Sequence, residues 1–372
     1  MVDDPTIAAL RAAVERASDD AELRKLLGWQ LLLAGEADEA IEHAQAAVDL
    51  APNDETAREL LEAAKGETPT TAPAAAPLDD VPFEHDRPVM TLDDVAGLES
   101  VKRRIDTEFL APSRDPELAE RYGKRASGGL LLYGPPGCGK TYLARALAGE
   151  LSAGFIPIDS AMVVSAHPGE SAQNIKAIFD YARRNTPVLL FFDEVEAIAH
   201  QRDSLGANWL KGMVNQFLAE LDGFSSNDGI YVVGATNAPW DVDSAMRRPG
   251  RFDRVVVVLP PDEPARAAIL DIHLRDRPVG KVDIARLAGR TEGFSGADLA
   301  YVVEEASSTA YEQAMETGED VLIDTAMLES AARGISPSVG AWMEQAKNYV
   351  MFSNKDGSLD ELAAYMRAKR LL

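Results

Sequence analysis

The feature that most constrains this chain is a glycine-rich octapeptide between a predicted strand and a predicted helix. Backbone N–H groups in such a loop turn inward around phosphate oxygens, and the helix N-terminus that follows favours anions. The lysine is predicted to reach the β- and γ-phosphates of a nucleotide, and the threonine to ligate Mg²⁺. A chance glycine-rich turn is the alternative, which the flanking strand and helix disfavour. The segment satisfies the P-loop pattern in full and reads Gly134-Pro135-Pro136-Gly137-Cys138-Gly139-Lys140-Thr141.

An acidic pair follows a second apolar run further along the chain. Residues 188–192 are apolar throughout and lead directly into Asp193-Glu194. A buried strand that ends in acids delivers them to the carboxyl edge of a sheet, where ligands bind. Asp193 is predicted to hold Mg²⁺ through water, and Glu194 to act as general base on the attacking water. Alone, such a pair is more often a solvated turn, but the preceding P-loop favours the catalytic interpretation.

Strand-like and helical stretches alternate from Thr91 onward, which predicts a P-loop α/β domain over residues 91–260. Runs that are apolar on both faces and separated by helices indicate a parallel sheet covered on both sides. After Pro260 the strand signals stop, and residues 261–372 are predicted to form a helical lid with C-terminal helices. The five strand-like runs are residues 130–133, 155–158, 188–192, 230–233 and 255–259.

Residues 1–65 are predicted to form helices in the register of a tetratricopeptide repeat. That pattern spaces small and large residues over about 34 positions so that two helices nest. Counted from Ala21, its Trp, Tyr and Phe positions hold Arg24, Leu31 and Ala44 instead. A plain helical bundle is the alternative. Residues 66–90, rich in Pro, Ala and Thr, are predicted to be a flexible linker. The matching positions are Leu27, Gly28, Ala40, Ala47 and Pro52.

Charge and cysteine content limit the function classes. The formal net charge is −24, whereas a nucleic-acid binder usually carries a basic face, so nucleic acid is a disfavoured partner. The acidic N-terminus lacks the basic and apolar parts of a signal peptide. No apolar stretch approaches the ~20 residues that span a bilayer. Cys138 is the only cysteine, and a cytoplasmic protein is expected.

Further short motifs follow in order between Leu92 and about Ala306. Together with the P-loop and the acidic pair, they make this stretch closely resemble the AAA subfamily of AAA+ ATPases, the group that contains katanin, spastin and the proteasomal ATPases. The resemblance implies an enzyme that hydrolyses ATP with Mg²⁺ in a ring of its own copies, usually a hexamer. The motifs are Asp94-Val95-Ala96-Gly97-Leu98, Asp222-Gly223-Phe224, Gly234-Ala235-Thr236-Asn237, residues 246–253, Ile272-His273 and residues 293–299.

The resemblance also implies roles for single residues. Asn237 matches sensor 1, which orients the attacking water. Arg248 and Arg251 match arginine fingers, which act on the γ-phosphate of the neighbouring subunit. Asp222-Gly223-Phe224 resembles the inter-subunit signalling motif. Each residue has a bland alternative: a turn cap for Asn237, helix packing for the histidine, and surface ion pairs for the arginines. Residues implied to contact adenine, ribose or the rest of the nucleotide are Asp94, Ala96, Tyr142, His273, Gly296 and Ala297.

The chain departs from protein-threading relatives at the predicted pore loop. Those relatives place an aromatic and a hydrophobic residue before a glycine, and this chain has His167-Pro168-Gly169 there. Residues 208–212, the second pore segment, lack the paired arginines that are common in relatives. His167 is predicted either to grip polypeptide with its imidazole or only to shape a loop stiffened by Pro168.

Two functions therefore stay open for the ring. The first is remodelling, unfolding or disassembly of protein clients recruited through residues 1–65. The second is a nucleotide-switched tetratricopeptide scaffold that threads nothing. A nucleic-acid motor is a third reading, disfavoured by the charge. Cys138 has two interpretations of its own: a redox brake, or a small residue tolerated in the loop in place of threonine.

Overall fold

The chain was analysed as a computed structural model, which describes most of its residues. The described residues are 7, 10–11, 14, 20–33, 37–51, 54–65, 86–122, 128–164, 170–198, 208–223, 229–354 and 357–372. The chain divides into two compact units, Met1–Val81 and Pro82–Leu372. Several predictions fall outside the described residues, namely most of the linker, Pro52, Phe224 and the pore-loop residues His167 and Pro168. No helix in the described ranges is long and apolar enough to cross a membrane.

The first unit contains three consecutive helices, α1 (Ala21–Leu33), α2 (Ala37–Leu50) and α3 (Glu55–Lys65). Their interior is formed by small and branched side chains, which lets helices approach closely. A Cβ added at Gly28 would lie 2.8 Å from Leu60 Cδ2, so glycine at this predicted repeat position admits Leu60 against α1. The helices fall where the repeat register places them, and the repeat assignment itself stays a prediction. The fully buried side chains include Leu27, Leu31, Ala40, Ala44, Ala47 and Leu60.

An ion pair joins α1 to the start of α3. Lys25 Nζ lies 2.5 Å from Asp54 Oδ2, and Asp54 Oδ1 accepts a hydrogen bond from the Thr56 backbone N–H. The hydrogen bond from Lys25 lowers the pKa of Asp54 to about 2. Asp54 therefore keeps its charge well below neutral pH and holds the turn before α3.

A five-stranded parallel sheet forms the centre of the second unit, as the apolar runs predict. The spatial order is β2-β3-β4-β1-β5, and every neighbouring pair is parallel. All residues of β1 and β3 are buried, because helices cover both faces of a sheet of this type. The α/β P-loop fold is confirmed. The strands are β1 Leu130–Tyr133, β2 Gly154–Ile158, β3 Val188–Phe192, β4 Ile230–Thr236 and β5 Arg254–Val257.

Helices surround the sheet and then continue beyond it to the C-terminus. Those before or between the strands are α4 Glu99–Ile105, α5 Ala111–Arg114, α6 Pro116–Arg121, α7 Lys140–Glu150, α8 Ser160–Val163, α9 Glu170–Arg184, α10 Val195–Ile198 and α11 Asn208–Asp222. Those after β5 are α12 Glu263–Leu274, α13 Ile284–Arg290, α14 Gly296–Thr317, α15 Thr325–Gly334, α16 Val339–Phe352 and α17 Asp360–Ala368. Short 3₁₀ or π turns occupy Leu92–Asp94, Asp106–Leu110 and Ser244–Arg247.

Two hydrophobic cores divide the helices that follow the sheet. Side chains of α12 to α15 form a separate core, with Leu270, Leu299 and Val302 fully buried. Side chains of α16 and α17, such as Trp342 and Leu362, belong instead to the core of the sheet. The sequence grouped residues 261–372 as one lid with C-terminal helices; by packing, the lid core ends at Ile335 and the last two helices join the α/β part.

Strand register brings the predicted motifs to one edge of the sheet. Tyr133, the last residue of β1, pairs with Thr236 on one side and Val257 on the other. Phe192, the last residue of β3, pairs with Gly234. The segments that follow β1, β3 and β4 therefore leave the sheet side by side, at the carboxyl edge where α/β sheets bind ligands.

Candidate active site

Glycines shape the loop between β1 and α7. Gly134 has φ 152°, and a Cβ added there would lie 2.1 Å from the Val258 carbonyl oxygen, so no other residue fits without moving the backbone. Gly139, at φ 91°, is the N-cap of α7. The loop therefore wraps tightly over the end of β1 and presents the first turn of α7, with its free N–H groups, to the crevice.

Lys140 lies in the middle of the candidate site. It is only 6% exposed. Its Nζ donates to the carbonyl oxygens of Gly134 and Pro135, both at 2.9 Å, and to Asn237 Oδ1 at 2.6 Å. Burial lowers the pKa of Lys140. The side chain that sequence reasoning assigned to the phosphates thus also contacts the predicted sensor residue.

The acidic pair stands beside the P-loop threonine. Thr141 Oγ1 lies 3.4 Å from Asp193 Oδ2, while Asp193 Oδ1 accepts a hydrogen bond from the Glu194 N–H at 2.9 Å. Hydroxyl and carboxylate oxygens are hard ligands of the kind that Mg²⁺ uses together with waters and phosphates. Thr141 and Asp193 therefore fit Mg²⁺, and their role as its ligands stays a prediction. The described residues contain no cluster of three or more His, Cys, Asp or Glu that could hold a metal by themselves.

Glu194 has an unusual backbone. Its φ is 49°, in the left-handed region, and its side chain is exposed. A residue with a Cβ pays about 1 kcal/mol or more for this conformation, which persists only where the surroundings hold it. The Asp193 carboxylate supplies one such restraint on the Glu194 N–H. The turn therefore fixes the backbone of Glu194 at the carboxyl end of β3, directly beside Asp193.

Asn237 is held at three of its polar atoms. Its side-chain oxygen contacts Lys140, its N–H donates to Glu196 Oε1 at 3.4 Å, and its carbonyl oxygen accepts from Trp342 Nε1 at 2.6 Å. Glu196 and Trp342 were not singled out from the sequence. The "Glu-x-Glu" spacing after β3 could have suggested Glu196, whereas no local pattern points to Trp342, which is 105 residues away.

An apolar cavity of about 330 Å³ opens beside the P-loop. Its size and lining suit the base and sugar of a nucleotide. Predicted nucleotide-contacting residues that line it are Ala96, Gly137, Cys138, Gly139, Tyr142, His273, Gly296 and Ala297. Val95 and Leu98 of the motif at residues 94–98, and Ile272 beside His273, also line it. Lining residues outside the predicted motifs are Leu259, Pro261, Ile269 and Ala300. These four are apolar residues that only the fold brings together.

The lid touches the P-loop directly. The Ala297 N–H donates to the Gly137 carbonyl oxygen at 3.1 Å. A Cβ added at Gly137, whose φ is 72°, would lie 2.8 Å from Ala297 Cβ and 2.9 Å from Ser295 Oγ. The start of α14, predicted as sensor 2, is therefore packed on the phosphate loop within the same chain.

Asp94 is one of the predicted nucleotide residues that the cavity lining does not include, as are Gly134, Lys140 and Thr141 of the P-loop. Its carboxylate caps the short turn at Leu92–Asp94, where Oδ2 accepts from the Thr91 N–H at 2.7 Å. The neighbouring Val95 and Ala96 line the cavity instead. Pro135 and Pro136 likewise lie outside the cavity lining, in the loop that leads to it.

His273 and Cys138 are uncharged groups of the cavity wall. Partial burial lowers the pKa of His273, and the positive charge of Arg277 lowers it to a smaller extent. The imidazole is therefore neutral at pH 7 and can both donate and accept hydrogen bonds. Burial raises the pKa of the Cys138 thiol to about 12. Because the thiolate is the reactive form, this favours the structural interpretation of Cys138 over the redox brake.

The two predicted finger arginines are held differently. Arg251 makes a two-pronged ion pair with Asp222, with Nε to Oδ1 and Nη2 to Oδ2 both at 2.7 Å, and also donates to the Ala245 carbonyl. The hydrogen bond from Arg251 lowers the pKa of Asp222. Arg248 is exposed, and its side chain has no hydrogen bond or ion pair to any described residue. Of the two arginines, Arg251 is thus paired within the described part of the chain, and Arg248 is not.

Comparison with known proteins gives the same two domains. Residues 130–259 match the family described as "ATPase family associated with various cellular activities (AAA)", and residues 281–325 match the AAA+ lid domain. A curated relative, "Protein SAV" of Sulfolobus acidocaldarius, is 43% identical over 221 residues, which is 59% of this chain. The chain spans 28% of the length of that relative.

Proposed function

An AAA ATPase domain at residues 130–259 and an AAA+ lid at residues 281–325 are the premise from which we propose that this chain hydrolyses ATP in a ring of its own copies. The observation that carries the proposal is the contact set around Lys140. The P-loop, the acidic pair and sensor 1 come from three separate strand ends and converge within hydrogen-bond distance.

Each part of this set has a task in phosphoryl transfer. The cavity holds adenine and ribose, with His273 toward the sugar. Lys140 and the N–H groups of the loop bind the β- and γ-phosphates. Thr141 and Asp193 hold Mg²⁺, which when bound neutralises charge on the phosphate oxygens. Glu194 takes a proton from the attacking water, and the Asn237 amide orients that water.

The remaining cation comes from a neighbouring copy. Charge that develops on the γ-phosphate needs a positioned arginine, which in this class of enzyme is supplied by another subunit. Arg248 is exposed, and Arg251 lies three residues further along the same segment. Both are proposed as fingers of a ring, a hexamer by the family resemblance.

Protein remodelling is the proposed use of the ring. The helices α1 to α3 precede the ATPase unit and carry an excess of acidic residues, which suits a docking surface for protein clients or adaptors. A client bound to these helices is attached to the same chain as the ATPase domain that acts on it. The single cysteine and the solvated surface suit the reducing cytoplasm.

Steady-state ATP turnover tests the enzyme assignment. Purified wild-type chain is expected to release phosphate from ATP in a Mg²⁺-dependent manner, and Lys140→Ala to lose ATP binding. Lys347→Ala, a change of a half-buried lysine on α16 that lies outside the site, is the matched control. Wild-type chain that assembles and binds ATP but releases no phosphate contradicts the assignment.

Client-stimulated turnover separates remodelling from the scaffold. A client that binds residues 1–65 is expected to raise ATP turnover and to lose its own fold. His167→Ala is expected to keep basal turnover and lose the stimulation, whereas His167→Tyr keeps it because a larger aromatic ring buries more apolar area. A bound client that stays folded through many turnovers supports the scaffold instead.

A further inference from the structure

Helix α16, the second-last described helix, is anchored in the core of the ATPase domain beside sensor 1. Val339, Trp342, Met343 and Ala346 are buried and belong to the same core as the strands. Trp342 is 7% exposed, and its ring lies 5.8 Å from that of Trp240. Trp240 in turn stacks on Tyr349, which lies further along α16, with the ring centroids 4.4 Å apart and the ring planes at 3° to each other. Trp240 thus lies between Trp342 and Tyr349, and the buried Trp342 ring has little freedom to turn in this close-packed core.

The polar edge of that indole points at the catalytic machinery. Trp342 Nε1 donates to the Asn237 carbonyl oxygen at 2.6 Å. The Trp N–H is only a donor, so a buried indole needs an acceptor and keeps it. The Asn237 N–H is bonded on the other side by Glu196 at 3.4 Å. With both of its peptide groups held, the backbone of Asn237 is fixed, and its amide keeps the direction in which it meets Lys140.

The first residue of the same helical turn is attached to the lid. Ser338 is the N-cap residue of α16, yet its hydroxyl makes no cap hydrogen bond to its own helix. It donates instead to Asp298 Oδ2 at 2.9 Å, and the Ser338 N–H contacts the same oxygen at 3.2 Å. Serine at this position ordinarily caps its own helix, whereas the Ser338 hydroxyl bonds to the lid instead.

Asp298 belongs to the part of the lid that touches the P-loop. Its Oδ2 accepts from the Ser295 N–H at 2.8 Å, which completes the capping box of α14. Two residues further into the box, the Ala297 N–H donates to the Gly137 carbonyl. The N-cap Ser338 and the first turn of α16, up to Trp342, therefore connect the lid beside the P-loop to sensor 1.

We propose that Trp342 is a positioning residue for ATP hydrolysis, which acts by holding Asn237, and that the Ser338–Asp298 contact ties this support to the lid. The inference rests on the proposed ATPase function and adds a residue to it that the P-loop, acidic and sensor motifs do not contain. A lid that rotates pulls on Ser338, and the first turn of α16, anchored by the buried Val339 and Trp342, carries that displacement to the Asn237 carbonyl. Hydrolysis is thereby linked to the position of the lid in the same chain.

Trp342→Phe tests the hydrogen bond with the least loss of packing. We expect kcat to fall about three- to tenfold, the range that corresponds to one net hydrogen bond, with KM for ATP and the urea midpoint of unfolding little changed. Trp240→Phe makes the same ring change in the same core and is expected to keep kcat within about twofold. Equal losses of kcat in the two variants would mean that packing alone matters, and the proposal fails.

A double-mutant cycle with Asn237→Ala shows whether Trp342 acts through sensor 1. Residues that act as one unit have non-additive effects. Adding Trp342→Phe to Asn237→Ala is expected to lower kcat no further. A further fall equal to that of Trp342→Phe alone overturns the proposal, because the tryptophan then acts elsewhere.

Ser338→Ala carries the test if Trp342→Phe does not fold. It removes the hydroxyl from an exposed N-cap and leaves Trp342 in place. We expect a two- to threefold fall in kcat, at unchanged KM, that disappears in the Asn237→Ala background; an unchanged kcat overturns the link to the lid. If wild-type chain has no ATP turnover, the proposed function and this inference both fail. If wild type turns over ATP and Trp342→Phe equals it, only this inference fails.

Discussion

The nucleotide pocket and the finger segment differ in how much of each lies within one chain. In the pocket, Lys140 is buried and contacts the loop and Asn237, and the lid reaches Gly137. In the finger segment, Arg251 is paired with Asp222, while Arg248 is exposed. A single chain therefore builds the pocket from its own residues, whereas the proposed action of Arg248 needs a neighbouring copy. The contrast separates the part of the proposed site that the fold supplies from the part that only a ring would supply.

Removing the exposed arginine is expected to have the largest effect. Arg248→Ala should lower ATP turnover by about 10³–10⁵-fold, the range of an arginine finger, and leave the Kd for ATP unchanged because the pocket is complete without it. Arg333→Ala, an exposed arginine at the end of α15, is the matched control. Mixed rings of Arg248→Ala and Lys140→Ala subunits should recover activity, since each supplies what the other lacks. Verified mixed rings without recovery argue that the arginine acts within its own chain.

Glu194→Gln is expected to lower turnover about a hundredfold or more, the contribution of a general base. Glutamine keeps the size of the side chain, and Asp193 and Thr141 are untouched, so ATP binding with Mg²⁺ and ring assembly should persist. Glu312→Gln on the exposed face of α14 is the control. More than a tenth of wild-type turnover in Glu194→Gln would assign the base to another residue and move part of the chemistry out of the pocket.

The reactivity of Cys138 tests how deeply its thiol is buried in the nucleotide pocket. Because burial raises its pKa to about 12, the neutral thiol persists well above pH 8 and alkylation should be about a hundredfold slower than for an exposed thiol. The reference thiol is Ser308→Cys in a Cys138→Thr chain. Alkylation of Cys138 should still be accelerating from pH 9 to 10, where the reference levels off, and ATP should slow it further. A plateau near pH 9, or full turnover after stoichiometric alkylation, contradicts this placement.

The sheet and the P-loop could be predicted because their signals are local. Five apolar runs were enough to give five parallel strands, of which β1 and β3 have the bounds of their runs and the other three differ by one to three residues at one or both ends. The confirmed AAA and lid domains follow from motifs of a few residues each. Strand order then brings Asp193 and Asn237 to Lys140. The site roles of these residues stay predictions, although the fold places them together.

Contacts between distant residues could not be predicted. Trp342 meets Asn237 across 105 residues, and Arg251 meets Asp222 across 29. Neither pair has a spacing that a helix or strand period produces, so only the folded chain reveals them. The packing of α16 and α17 on the sheet is of the same kind: their apolar faces were visible in the sequence, but an apolar face does not state which core it enters.

The smallest expected effect concerns Asp222, and it decides what Arg251 does. An ion pair with an exposed carboxylate is worth at most about 1 kcal/mol, so Asp222→Asn should change ATP turnover by less than about tenfold. If Arg251 is a finger, it exchanges Asp222 for the γ-phosphate of the neighbour, and Arg251→Ala should lose turnover about as Arg248→Ala does. Turnover of both variants, and of the Asp222→Asn/Arg251→Ala double variant, measures this. Equal and non-additive losses in Asp222→Asn and Arg251→Ala would instead make Arg251 a support for the segment that carries Arg248. Arg248 alone would then act on the neighbouring subunit.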